Sequence, residues 1–148
     1  MVDNLSKTQR SYCMSRIKGR DTSLERAVRG ELHRQGLRFR KHVAGMAGRP
    51  DIVFPRQRVV VFINGDFWHG WRFPLWRENL ASFWRLKIAG NRARDVANSR
   101  RLRRAGWTVV RVWQHQARRD RAAVVARIIA AVDRSTWRCP GDARRSTR

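Results

Sequence analysis

The stretch from Arg58 to Asn64 constrains this chain most. Val59, Val60, Val61, Phe62 and Ile63 follow one another with no polar residue between them. A strand wetted on one side alternates apolar and polar residues, so an unbroken run of this kind belongs to a central strand covered on both faces. The fold must therefore supply layers above and below a sheet.

Flanking segments can provide them. Ser6-Lys7-Thr8-Gln9 forms a capping-box pattern opening a helix that carries Met14 and Ile17, with Gly19 ending it. Thr22-Ser23-Leu24-Glu25 repeats the pattern, and Leu24, Ala27, Val28 and Leu32 then fall on one helical face before Gly36. Leu37 to Lys41 alternates as a strand, and Asp51 to Phe54 is a short apolar run after Gly48-Arg49-Pro50. A Gly-, Trp- and Pro-rich loop is expected from Gly65 to about Glu78. A long helix follows from about Ser82 to Arg104, stopped by Gly106, then a strand over Trp107 to Trp113. Val124, Val125, Ile128, Ile129 and Val132 mark a final amphipathic helix. The expected order is α-α-β-β-β-α-β-α, an α/β fold with a mixed β-sheet flanked by helices. Residues 1–133 read as a single domain and 134–148 as a basic, flexible tail.

Charge narrows the partner. Lys and Arg number 34 against 11 Asp and Glu, a formal net charge of +23. Double-stranded nucleic acid is the first polyanion to consider, because each neutralised phosphate releases counterions. A membrane surface comes second, but no apolar run approaches the ~20 residues of a membrane span. Preference for Arg over Lys also fits a GC-rich genome, although that does not account for basic residues interleaved with seven Trp. Cys13 and Cys139 offer neither a disulfide framework nor zinc-ligand spacing, so a reducing cytoplasm is expected.

Several residues could carry chemistry. Asp51 enters an apolar run where Asp is disfavoured. It is either the turn residue of Arg49-Pro50-Asp51 or a carboxylate placed to ligate a cation. His69 follows two exposed aromatics, Phe67 and Trp68, in a Gly-flanked loop. It is either a general base or a ring packed beside Trp68. The aromatics are either core or wedges that stack on bases. Glu25 has an obvious capping role, and Asp95 could pair with neighbouring arginines.

Taken together, these residues form an ordered set of motifs. Gly48-Arg49-Pro50-Asp51 precedes a strand and then Gly65-x-Phe67-Trp68-His69. Upstream stand Met14-Ser15-x-Ile17, Arg20-Asp21-Thr22-Ser23-Leu24-Glu25 and Gly36-Leu37-x-Phe39-Arg40. Downstream stand Phe83-Trp84-x-x-Lys87-Ile88-x-x-Asn91-x-x-Arg94-Asp95, Gly106-Trp107 and Val112-Trp113. In these motifs the chain resembles the very-short-patch-repair (Vsr) endonucleases, of the PD-(D/E)XK nuclease superfold, from about Ser6 to Trp113 and more weakly to Val132.

The resemblance implies a Mg²⁺-dependent enzyme that nicks one strand of duplex DNA at T·G mismatches in a short sequence context. A nicking enzyme for matched duplex and a non-catalytic DNA-binding protein are the alternatives. It implies metal ligation by Asp51 and the backbone carbonyl of Ile63, His69 as general base, and Glu25 and Asp95 as acidic residues close by. Lys87 and Asn91 would touch the mismatch from the long helix. Phe67, Trp68 and Trp84 would wedge beside it, with Met14 and Ile17 entering from the opposite groove. It further implies action as a monomer in a bacterial, nucleoid-associated setting, with a cognate cytosine methyltransferase or repair proteins as partners. One departure stands out. The best-known members of this family hold a structural zinc with Cys and His around the Gly-x-Phe-Trp-His loop, where this chain has Asp66 and Trp71 and no cysteine near Trp113. No structural zinc is therefore expected, and Trp71, Phe73 and Trp76 are the candidates to hold the loop by packing.

Overall fold

The computed structural model describes residues 5–17 and 21–137. Gly19, Arg20 and Cys139, together with most of the expected tail, lie outside the described residues. The elements run α1 (Lys7–Arg16), α2 (Ser23–Arg34), β1 (Arg40–Lys41), β2 (Ile52–Phe54), β3 (Val59–Asn64), α3 (Phe73–Trp76), a 3₁₀ turn (Arg77–Asn79), α4 (Ser82–Arg104), β4 (Thr108–Trp113), α5 (Gln114–Arg119) and α6 (Arg121–Trp137).

The four strands form one sheet in the order β1-β2-β3-β4. β2 pairs antiparallel with both β1 and β3, and β4 lies parallel to β3 with Val61 opposite Val110. Parallel pairing requires a crossover, and α4 supplies it. Side chains alternate along β3, so its two faces feed two cores. Val59 and Val61 point with Ile52 and Phe54 into a cluster closed by Val28 and Leu32 of α2 and by Val124, Val125 and Ile128 of α6. Val60 and Phe62 point with Val53 toward Leu102 of α4. The uninterrupted apolar run is thus explained by a helix layer on each side.

Some elements differ from expectation. The first strand keeps only Arg40 and Lys41, because only these two residues pair with β2. The expected loop after β3 contains a helical turn at Phe73–Trp76, started by Pro at its N-terminus, and a 3₁₀ turn. α5 was not anticipated, and α6 continues past Asp133 to Trp137. The capping box at Ser6 is complete, with Ser6 N–H donating to Gln9 and Gln9 N–H to the Ser6 hydroxyl. At Thr22 only half of it forms: Glu25 N–H reaches Thr22 Oγ1, but the Glu25 carboxylate accepts from Asp21 N–H.

Candidate active site

The site assembles where β2 and β3 meet the loop that follows β3. Asp51 precedes β2, and its backbone N–H joins the ladder by donating to Val61 O at 3.0 Å. Its carboxylate turns across the strand end, where Oδ2 accepts from Ile63 N–H at 2.6 Å. Asp51 and Ile63 are therefore adjacent, although they lie twelve positions apart in sequence. Burial pushes the Asp51 carboxyl up to about 6. The Ile63 hydrogen bond opposes this, the nearby Glu25 charge adds to it, and His42 and His69 oppose it.

Glu25 is 5% exposed at the start of α2. It shares its surroundings with Asp21 and His42, all three offering ligand atoms within 4.8 Å of one another. Arg29 already engages that cluster, with Nη2 at 2.5 Å from Asp21 Oδ1 and Nη1 at 3.6 Å from Glu25 Oε2. His42, just past β1, was missed by sequence reading; no motif spacing tied it to Glu25.

After β3 the chain turns sharply, with His69 N–H donating to Gly65 O and Trp71 N–H to Asp66 O. Gly70 lies at φ +65°, and a Cβ there would come within 2.8 Å of Arg92 Cδ and 2.9 Å of Ile88 Cγ2 on α4. Only glycine lets this turn press onto α4. That contact delivers His69 to Asp95, with Nδ1 2.7 Å from Oδ2. Asp95 is held in turn by Arg111 Nη1 at 3.6 Å, and Arg111 also donates to Ser99 Oγ at 2.8 Å. A carboxylate on Nδ1 favours the tautomer whose Nε2 carries the lone pair.

A cleft of about 390 Å³ is lined by Glu25, Ile63, Asn64 and His69 together with Met14, Ile17 and Trp68, and Asp51 adjoins that lining through its bond to Ile63 N–H. Asn64 is 2% exposed, and its amide nitrogen finds no protein partner among the described residues. Sequence reading passed over it as a strand terminus. Phe67, Trp68 and Trp84 form one aromatic cluster, with ring centroids 5.0–6.1 Å apart. None of the three belongs to either core cluster, and Phe67 is exposed. Lys87 lies over the Phe83 ring. Asn91 differs from a free base-reading amide, since its Nδ2 donates to Trp68 O at 2.9 Å and its Oδ1 accepts from Arg94. The loop end is fastened by Asp66 Oδ1 against His115 Nδ1 at 2.7 Å, and by Trp71 packed on Trp113 and His115. Phe73 is buried and meets Trp76 edge-on, and Trp76 Nε1–H donates to Trp71 O.

The profile of the family described as DNA mismatch endonuclease Vsr matches residues 2–74. The chain is 41% identical over 137 residues to the type II nicking enzyme V.XorIIP of Xanthomonas oryzae, covering 91% of this chain and 100% of that enzyme. The chain belongs to the Vsr family of DNA endonucleases. It is also 39% identical over 116 residues to DNA mismatch endonuclease Vsr of Escherichia coli, covering 77% of this chain and 74% of that protein. The type II nicking enzyme V.NmeDIP of Neisseria meningitidis is 33% identical over 137 residues, 88% of this chain and 90% of that enzyme. The mixed sheet flanked by helices agrees with the nuclease fold expected from the motifs. Family membership makes the chain a DNA-hydrolysing enzyme and argues against a binding module without catalysis. Among the described residues no helix is long and apolar enough to cross a membrane.

Proposed function

We propose that this Vsr-family enzyme nicks one strand of duplex DNA at T·G mismatches within a short sequence context, using Mg²⁺. One observation carries the reading: Glu25, the Ile63–Asn64 strand end, His69 and the apolar Met14, Ile17 and Trp68 line a single cleft, and Asp51 adjoins it through its bond to Ile63 N–H. The donor set suits a hard cation. Asp51 and Glu25 offer carboxylate oxygens, Ile63 a backbone carbonyl, and the mutual repulsion of the two carboxylates is relieved by positive charge between them. A divalent cation held there would polarise the phosphodiester and stabilise charge on the leaving oxygen. His69, with Nδ1–H committed to Asp95, takes a proton from the attacking water at Nε2. Water oxygen bonds to phosphorus as the opposite P–O bond breaks, leaving one nicked strand.

The mismatch is proposed from the wedges. Trp68, Met14 and Ile17 line the cleft, and Phe67 and Trp84 pack against Trp68. Unstacking a base step costs a few kcal/mol, and less where pairing is already weak. Lys87 on α4 would leave the Phe83 ring to reach a base edge, and Asn91 would exchange its bond to Trp68 O to do so. The Asp66–His115 contact and the Trp71 and Phe73 packing take the place of a zinc staple, so stoichiometric zinc is not expected. Action as a monomer in the cytoplasm, close to the nucleoid and in the company of a cytosine methyltransferase or repair proteins, completes the proposal.

Duplexes matched or carrying T·G in varied contexts, incubated with Mg²⁺, test it. Nicking confined to T·G substrates and abolished by chelation is expected. The alternative reading is a sequence-specific nick in fully matched duplex. Equal rates on matched DNA would establish that reading instead.

A further inference from the structure

A second cavity, of about 550 Å³, shares only His69 with the catalytic cleft. Five arginines line it: Arg72, Arg92, Arg100, Arg103 and Arg111. Asp95 is the one carboxylate in its lining, and its ion pairs are with His69 and Arg111. Four arginines are therefore left with no negative partner in the cavity. Arg92, Arg100 and Arg103 come from one face of α4, where eleven positions rise roughly 16 Å, a length that can follow several phosphates. Burial lowers the Arg111 pKa, Asp95 opposes that, and the charge of Arg103 adds to it. Arg92 and Arg111 are half-buried and Arg72, Arg100 and Arg103 exposed around one concavity, and like charges gathered there repel one another unless an anion joins them. Arg is also the side chain whose planar fork matches phosphate oxygens.

We propose that this cavity is a phosphate-binding site beside the His69–Asp95 pair, seating backbone phosphates of the DNA strand that flanks the nick. The proposal rests on DNA as the substrate and not on the mismatch. Free inorganic phosphate shares the same chemistry and is distinguished by experiment. Arg100→Ala with Arg103→Ala empties the cavity of two charges at exposed helix positions where Ala is well tolerated. Arg101→Ala with Arg104→Ala removes the same charge from the same helix outside the cavity. Duplex affinity is measured by fluorescence anisotropy over a KCl series for wild type, both pairs and the Arg100→Lys, Arg103→Lys pair.

The cavity pair should lower the magnitude of the log-log salt slope by about 2, near 0.9 per phosphate contact. The control pair should lower it by less than half as much, and the Lys pair should restore most of it. Thermal unfolding in phosphate against chloride at equal ionic strength forms the second arm. An unchanged slope with a phosphate-dependent rise in melting temperature that the cavity pair abolishes would keep the site and assign it to free phosphate. Equal slopes in the two Ala pairs, with no such difference in melting temperature, would overturn the proposal. Wild-type nicking in the same samples keeps this result separate from the substrate question, since binding slopes are read without turnover.

Discussion

Asp51 and Asp95 both influence His69, yet their surroundings are opposite. Asp51 is half-buried at a strand end with Glu25 nearby, one backbone N–H as its donor, and a carboxyl pushed up to about 6. Asp95 sits on a helix among cations, bonded to His69 and paired with Arg111. The Ile63 N–H, His42 and His69 offset the burial of the Asp51 charge only in part, whereas the Asp95 carboxylate has His69 and Arg111 as direct partners. Under the proposed mechanism the first carboxylate would accept a cation and the second would orient a base.

The comparison predicts graded losses. Asp51→Ala should abolish nicking while leaving duplex affinity largely intact, since arginines supply the affinity; gel assays for nicking and binding check both. Nicking at the wild-type rate would remove Asp51 from the metal site. His69→Ala should slow single-turnover nicking by about 10²-fold or more, the usual range for a general base. Undiminished turnover would return His69 to a packing role. Asp95→Asn should cost about 10- to 100-fold, as loss of an orienting partner does, with little change in substrate affinity. If affinity fell and rate did not, Asp95 would be a DNA-binding residue.

The smallest expected effect on stability lies in the aromatic cluster. Trp68→Ala should reduce cleavage yet leave urea unfolding nearly unchanged, because Trp68 lies outside both cores. A loss of about 3–5 kcal/mol, the cost of truncating a core aromatic, would place it in the core instead.

Local patterns made much of this legible. β3 announced itself because burial on both faces removes alternation, and α2 and α4 because Gly36 and Gly106 stop them. The motifs brought Glu25, Asp51, His69 and Asp95 forward as a set. What stayed hidden depends on distance in sequence. Nothing near Arg111 shows that it reaches back to Asp95 and Ser99, or near His115 that it meets Asp66. The engagement of Asn91 by Trp68 O likewise exists only once Gly70 presses the loop onto α4. α3 and α5 are too short to carry a helical period.

Asp51 gives the most direct test. Its folded pKa lies above the ordinary 3.8, so in metal-free protein its contribution to stability is full below about 3.8 and is lost as pH rises to about 6. A cation must displace that proton, so affinity should follow the ionised fraction. Calorimetric titration of the wild-type protein with Mn²⁺ between pH 5 and 8 should show affinity level above about 6 and weakening up to tenfold per unit below it. Asp51→Asn should bind weakly and without that dependence. Affinity independent of pH across this range, or unchanged in Asp51→Asn, would contradict the assignment of Asp51 as the carboxylate that receives the metal.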